Sequence, residues 1–228
     1  MKRTTLSLLP AVAGLAAIAA TILVSAESPP AGFQPKYRVT APQVNRGETL
    51  ATPTPTPTPR PVPYSGPVAS LYLGSARISA SAPVEVRDTV NVGGQETFQD
   101  PTRPERIAWY SRFGQPGFPA NNSIFAGHIN YIGHGNGPFA YLTSAAYDDA
   151  LYVTMANGQQ YAYTVRSVEI VSLAELQSGA MDAYVFPALA SNTERITLIS
   201  CGGNFVARPG GGGDYTSRVI LVAERYVD

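Results

Sequence analysis

The sequence predicts a mostly β body that closes into a barrel of about eight strands, preceded by an export segment and an extended linker. Three observations predict it. Short apolar segments alternate with polar residues along the last 160 or so positions, as in half-buried strands. The 21 glycines and 20 prolines among 228 residues indicate many turns. Helical patterns between the strand signals are few, and this favours a barrel over an α/β sheet.

Residues 1–26 predict export. Lys2 and Arg3 form a short basic region, and the apolar segment Leu6–Ala26 follows. That segment has about 21 residues, close to the roughly 20 that a membrane-spanning helix needs. Its end, Val24-Ser25-Ala26, also has the small-residue spacing that signal peptidase accepts. A cleaved signal peptide and an uncleaved membrane anchor both fit, and either predicts a body on the extracellular face of the membrane.

Residues 27–67 predict a Pro/Thr-rich linker. They hold more than half of the prolines, including the strict Thr-Pro alternation of Thr52–Pro59. Proline has no N–H to donate, so this segment cannot form helix or sheet ladders. We expect an extended polyproline-type spacer that ends where the folded body, residues 68–228, begins.

The strand signals follow in chain order. The predicted strands are Leu71–Leu73 with Ala76–Ser79, Val84–Val90, Ser123–Ile129, Leu151–Met155, Tyr161–Val165, Arg195–Cys201 and Arg218–Val227. Between the fourth and fifth, Asn157-Gly158 predicts a type I′ hairpin turn, because both residues tolerate a positive φ. Only Tyr141–Asp149 and Leu173–Ala180 have the pattern of short helices.

The charge balance excludes one class of partner. Sixteen basic and sixteen acidic residues cancel, so no overall positive field favours nucleic acid. The single cysteine, Cys201, is unusual for an exported chain, in which cysteines normally pair. An unpaired thiol outside the cell is open to oxidation. Cys201 is therefore either a small buried core residue or a functional thiol.

Two other polar residues stand, like Cys201, where predicted strands end or begin. His128 follows an apolar strand, and Arg218 opens another. A thiolate is a strong nucleophile when a cation lowers the pKa of its thiol. An imidazole can protonate a leaving amine, and a guanidinium can stabilise an oxyanion. Taken singly, each residue also fits a structural role.

The sequence around these three residues resembles the sortase family. The segment Thr197–Cys201 is similar to the Thr-Leu-x-Thr-Cys signature of sortases, with Ser200 in place of the second threonine. Phe125–His128 resembles the segment that carries the sortase histidine, and Tyr215–Ile220 resembles the strand that carries the arginine. The order of the three is also that of sortases, and Gly202-Gly203-Asn204 resembles the class E/F group.

The resemblance implies a closed eight-stranded sortase barrel that transfers acyl groups between peptides without a cofactor or metal. Cys201 would attack the Thr–Gly carbonyl of a Leu-Pro-x-Thr-Gly-like sorting signal on a surface protein. Arg218 would stabilise the oxyanion, and His128 would protonate the leaving amine. An amine from the cell wall or from a pilin would then accept the acyl group.

Alternative readings remain open from the sequence. An L,D-transpeptidase is also exported and also uses cysteine and histidine, but its nucleophile segment is of Ser-x-Gly-Cys type, unlike Leu198–Gly202. An NlpC-like peptidase needs the cysteine before the histidine. A stalked surface domain with an inactive barrel would bury an inert Cys201.

Several other polar residues are predicted to lie in loops. His134 lies among glycines, and no set of cysteines or carboxylates joins it to form a metal site. Asp148, Asp149 and Asp214 are expected to be solvated loop acids rather than calcium ligands.

Overall fold

A computed structural model describes residues 62–209 and 212–226. The predictions for residues 1–26, and for the linker up to residue 61, fall outside these described residues. The strands are β1 Val68–Tyr72, β2 Val84–Val86, β3 Thr89–Val92, β4 Gln95–Phe98, β5 Ile107–Trp109, β6 Asn121–Gly127, β7 Asn130–Tyr131, β8 Gly135–Asn136, β9 Ala150–Met155, β10 Gln160–Ser172, β11 Thr193–Ala207 and β12 Gly213–Tyr226.

Eight strands form one sheet, in the order β1-β9-β10-β12-β11-β6-β5-β2. The strands at the two ends of this order, β1 and β2, contact each other, so the sheet curls into a nearly closed barrel. The predicted eight-stranded barrel is therefore confirmed. The remaining four strands form two small hairpins, β3–β4 and β7–β8.

The alternation of side chains along the strands produces two apolar cores. On β12, Val219, Leu221 and Ala223 face the barrel interior, where they pack with Phe125 and other buried side chains. The residues between them, Ile220 and Val222, belong to a second cluster on the outer face, which includes Tyr110 and Val185. A strand that is apolar on both faces must be covered on both, and this second cluster provides the outer cover.

The β9–β10 hairpin confirms the prediction of a turn at Asn157-Gly158 but not its type. Gly158 has φ +87°, whereas Asn157 is not among the residues with positive φ. The Gly158 N–H donates to the Met155 carbonyl at 2.9 Å, and the Met155 N–H donates to the Gln159 carbonyl at 2.8 Å. This is a turn with negative φ at its central residues, followed by a left-handed glycine bulge. The loop is one residue longer than a two-residue type I′ loop, so the positive φ angles of a type I′ turn are not required at both central residues.

The first two predicted strands are corrected. Residues 76–79 form a turn rather than a strand, joined to β1 only through the bridge between Leu73 and Ile78. The segment Val84–Val90 is split, because β2 pairs with β5 whereas β3 folds back on β4. The sequence pattern also missed β4 and β5, which are short and carry no long alternation.

The predicted helices are confirmed only in part. Residues 173–184 are helical, as α1 Leu173–Glu175, a π-type turn Leu176–Ala180 and α2 Met181–Tyr184. Gly179, with φ +113°, interrupts them. Ser172 caps α1 by accepting from the Glu175 N–H, and Glu175 caps it in return. The predicted helix Tyr141–Asp149 is wrong, since only Leu142–Ser144 forms a 3₁₀ turn.

Within residues 62–209 and 212–226, no helix is long and apolar enough to cross a membrane.

Candidate active site

Cys201 and Arg218 face each other across the β11–β12 ladder, where they form a direct cross-strand pair. The prediction that they end and open their strands is wrong. Strand β11 continues beyond Cys201 to Ala207, and β12 begins five residues before Arg218, at Gly213. Both side chains are therefore held within a long two-stranded ribbon, and this fixes their spacing more firmly than two loose strand ends would.

A β-bulge interrupts this ribbon directly after the cysteine. The register shifts between the pairs Gly202↔Ser217 and Phe205↔Tyr215, which leaves one extra residue on β11. Gly203 lies in this bulge with φ +74°. A Cβ atom there would lie 2.6 Å from the Thr216 hydroxyl. The glycine is thus required for the bend that carries the ribbon past the cysteine.

His128 lies directly after β6, as the sequence predicts. Strand β6 is parallel to β11, and the last pair of their register is Ile199↔Ala126. His128 therefore lies two residues beyond this last pair on its own segment, as Cys201 does on β11. The His128 carbonyl accepts from the Phe139 N–H at 3.0 Å. Of the three predicted residues, the structure pairs Cys201 directly with Arg218 and places His128 just after β6, the strand next to β11.

A groove opens beside the cysteine, with a cavity of about 170 Å³. Residues Ser200–Gly203 form one wall. The other walls are largely apolar and consist of Ile129, Phe139, Ala140, Leu142, Thr143, Ile170 and Val219. Groups of three or more metal-binding side chains are absent among residues 62–209 and 212–226. Cys201 therefore borders a small groove lined by apolar side chains together with polar atoms.

A family model for the sortase domain matches residues 77–226, which is more than half of the chain and includes all three residues. The chain belongs to the sortase family. Its fold is also similar to solved sortases at low identity. A lid mutant of sortase A from Corynebacterium diphtheriae is 20% identical, with 76% of this chain and 74% of that chain covered and a TM-score of 0.49. The SrtA sortase from Actinomyces oris is 19% identical, with 73% and 84% covered and a TM-score of 0.47.

The search of solved structures also found the Group B Streptococcus Pilus Island 1 sortase C2, at 16% identity, with 68% of this chain and 71% of that chain covered and a TM-score of 0.47. The curated proteins contain no significant match to this sortase. Its assignment to class E/F stays a prediction.

The signature segment, Thr197–Cys201, also makes hydrogen bonds that stabilise the fold. Thr197 is fully buried and donates to the Asn122 side-chain oxygen at 3.0 Å. Asn122 in turn donates to the Val185 carbonyl at 2.6 Å. The first of these bonds joins β11 to β6. The threonine of the motif therefore helps to set the register between the strand that carries Cys201 and the strand that precedes His128.

The Cys201 thiol lies in a mixed electrostatic environment. Burial raises its pKa, the Arg218 guanidinium opposes that rise, and the carboxylates of Asp214 and Asp100 add to it. A raised pKa means that the thiolate is a minority species at neutral pH. Any nucleophilic role therefore depends on a cation close to the sulfur.

The Asp214 prediction is corrected. Rather than a solvated loop acid, it is a strand residue of β12 whose Oδ1 accepts from Arg218 at 3.2 Å. The sequence does contain a signal for this pairing, since an acid four positions before an arginine on one strand lies on the same face of that strand. His134 does lie in a loop, between β7 and β8. Asp148 is exposed, as expected, but pairs with Arg166 at 2.9 Å.

A hydrogen bond links the histidine side of the groove to the arginine side. The Asn130 side-chain amide, two residues after His128, donates to the Tyr215 hydroxyl at 2.8 Å. Tyr215 precedes Arg218 on β12, and its ring packs edge-on against Phe205 at 5.3 Å between centroids. This pair was not predicted, because its partners are 85 positions apart in the chain.

Proposed function

We propose that this sortase is an exported cysteine transpeptidase in which Cys201 is the nucleophile, His128 the general acid and base, and Arg218 the oxyanion stabiliser. It cleaves a Leu-Pro-x-Thr-Gly-like sorting signal between threonine and glycine and passes the acyl group to an amine. The observation that carries the proposal is the direct pairing of the only cysteine with Arg218, at the edge of a groove that Cys201 helps to line.

The first step forms a thioester. In the reacting form, Cys201 is a thiolate and His128 an imidazolium. The sulfur attacks the threonine carbonyl carbon, and the negative charge that develops on the oxygen is met by an Arg218 N–H. The C–N bond to glycine then breaks as His128 gives its proton to the departing nitrogen. The products are an acyl-enzyme and a free peptide that begins with glycine.

The second step reverses this sequence with a new amine. The incoming nitrogen attacks the thioester carbon, and neutral His128 takes up the proton that it loses. The C–S bond breaks, and Cys201 leaves as a thiolate, so that thiolate and imidazolium are restored. Water in place of the amine gives hydrolysis. No cofactor or metal takes part in either step.

The setting of the reaction follows from the sequence outside the barrel. Residues 1–26 would export the chain or anchor it, and the Thr-Pro linker would hold the catalytic body away from the membrane surface. The substrates would then be surface proteins with a sorting motif. The acceptors would be amines of the cell wall or of pilins.

A peptide panel tests the activity. Residues 62–228 are incubated with fluorogenic peptides that vary around Leu-Pro-x-Thr-Gly, with and without an amine acceptor. We expect cleavage at the Thr–Gly bond, ligation to the acceptor, and an acyl-enzyme on Cys201 detectable by mass spectrometry. Cys201→Ala should abolish all three, because no other thiol is present in the chain.

The same experiment separates the alternatives. A folded wild-type protein that alkylates at Cys201 but cleaves none of the peptides would indicate a different acyl donor. A folded protein whose Cys201 resists alkylation even at high pH would contradict the proposal and favour an inactive surface domain.

A further inference from the structure

The side chain of Asp214 is bound from three directions. Its Oδ1 accepts from Arg218 at 3.2 Å and from the Tyr215 N–H at 2.7 Å, and its Oδ2 lies 3.5 Å from the same arginine nitrogen. A second arginine, Arg208, approaches Oδ2 at 3.9 Å. The Tyr215 N–H fixes the carboxylate on the backbone of β12, so its direction does not depend on the arginines.

The guanidinium of Arg218 is held at its two terminal nitrogens. One donates to the Tyr215 and Ser217 carbonyls at 3.2 and 3.0 Å, and the other donates to Asp214. Among the hydrogen bonds of the described residues, none involves Nε. This nitrogen is the one nearest the strand, and the strand places Arg218 directly opposite Cys201. Nε–H is therefore the guanidinium donor that these hydrogen bonds do not use.

We propose that Asp214 is a positioning residue that holds the Arg218 guanidinium by its outer edge, so that Nε–H is left to meet the oxyanion. The inference rests on the proposed function of Arg218. An arginine side chain has four rotatable bonds, and fixing it before the reaction spares the entropy of fixing it in the transition state. Three acceptors on one strand, one of them charged, provide that fixation.

The burial of the pair indicates that its role is not mainly stability. The side chains of Arg218 and Asp214 are 24% and 40% exposed. Ion pairs of this exposure contribute little to folding, because water screens both charges. Position at the nucleophile is the better reason for such a pair, since a misplacement of about 1 Å can cost about 100-fold in rate.

Removing the Asp214 charge should have two opposite effects. The charged groups that act on the Cys201 thiol are Arg218, Asp214 and Asp100, and His128 follows the end of the neighbouring strand β6. Arg208 lies on the far side of Asp214. Without the carboxylate, one of the groups that raise the thiol pKa is gone, so the thiolate forms at lower pH. The arginine, however, loses its fixed direction, so the chemical step slows.

The experiment compares Asp214→Asn with wild type over a range of pH, using both iodoacetamide alkylation of Cys201 and peptide cleavage. We expect the alkylation profile to move to lower pH and kcat at its plateau to fall by about 10- to 100-fold, with KM nearly unchanged. Asp214→Glu should recover part of kcat. The matched control is Asp148→Asn, which removes one carboxylate from an exposed Asp–Arg pair elsewhere and should change neither profile.

The outcomes distinguish this inference from the proposed function. If wild type cleaves peptide and Asp214→Asn keeps its kcat or exceeds it, Asp214 is not a positioning residue. An Asp214→Asn alkylation profile that does not move would also overturn it, and this readout needs only folded protein. If wild type cleaves nothing, the proposed function fails, and the alkylation arm still shows whether Asp214 acts on the site.

Discussion

Two positions along the β11–β12 ribbon, one at its Glu194 end and one at Cys201 in its middle, carry an arginine with a carboxylate partner, in contrasting surroundings. At one end, Glu194 and Arg225 are a direct cross-strand pair, and Arg225 donates to both carboxylate oxygens, at 2.9 and 2.7 Å. The Tyr163 hydroxyl donates to Glu194 at 2.9 Å. Glu194 is only 2% exposed. In the middle of the ribbon, next to Cys201, Arg218 pairs with a 40% exposed carboxylate.

The comparison shows that one ribbon can hold a buried ion pair that stabilises the fold and also carry the residues of the candidate active site. At the Glu194 end, every charge is satisfied, and burial together with the Glu194 carboxylate raises the pKa of Tyr163 so that it remains a neutral donor. At the Cys201 position, the Nε–H donor of Arg218 is left over and the thiol is half buried. The two positions are about 23 Å apart, from seven residues at about 3.3 Å each. Their functions can therefore be altered separately.

The largest effect is expected from Arg218→Lys. A lysine keeps the charge but cannot bind three acceptors and still present an N–H to the oxyanion. We expect kcat for peptide cleavage to fall by about 100- to 1000-fold, equivalent to about 2.7–4 kcal/mol of transition-state stabilisation. Steady-state kinetics with the best peptide of the panel measures it.

The matched control is Arg225→Lys at the Glu194 end of the ribbon. It should lower the free energy of unfolding and leave kcat near that of wild type. Similar losses of kcat in both variants would show that the ribbon acts as one unit, contrary to the comparison.

A smaller effect, on stability alone, is expected from Glu194→Gln. The substitution removes the negative charge that faces Arg225 and puts an amide NH2 group, itself a donor, in place of one carboxylate oxygen that accepts from Arg225. We expect the free energy of unfolding to fall by about 1.5–3 kcal/mol, measured by urea denaturation.

Glu224→Gln serves as the comparison variant, since Arg195 binds Glu224 in the same ribbon at 2.7 Å. Glu224 is 13% exposed, so part of the unpaired charge remains hydrated and the loss should be smaller. A larger loss for Glu224→Gln than for Glu194→Gln would contradict the role assigned to burial.

The smallest effect is expected from Tyr215→Phe. It removes the hydrogen bond to Asn130 and keeps the ring contact with Phe205 and the carbonyl that binds Arg218. One exposed hydrogen bond is worth about 0.5–1.5 kcal/mol, so we expect KM for peptide to rise about 2- to 10-fold.

Tyr141→Phe is its control, because Asn136 of the same β7–β8 hairpin donates to the Tyr141 hydroxyl at 2.9 Å. That bond does not cross from the histidine side to the arginine strand, and its loss should leave KM unchanged. Equal KM changes in the two variants would assign the effect to the hairpin as a whole.

The sequence predicted the elements whose signals are local. Alternation along Leu151–Met155 predicted β9, and the apolar run before His128 predicted a strand that ends there. Asn157-Gly158 predicted a turn, but the turn type depends on how many residues the loop uses, and Gln159 joins it through a bond to Met155. The short strands β4 and β5 were missed because their partners, not their own pattern, hold them in place.

The sequence by itself determined the barrel class, the family resemblance and the identity of Cys201, His128 and Arg218 as candidates. Only the tertiary structure decided that Cys201 lies within a strand rather than at its end. Two glycines after a cysteine are typical of a strand end, but the facing β12 supplies hydrogen bonds that carry the ribbon through a bulge. The tertiary structure likewise decided that Asp214 pairs with Arg218. The direction of each side chain on β12 depends on how the neighbouring strand bends β12.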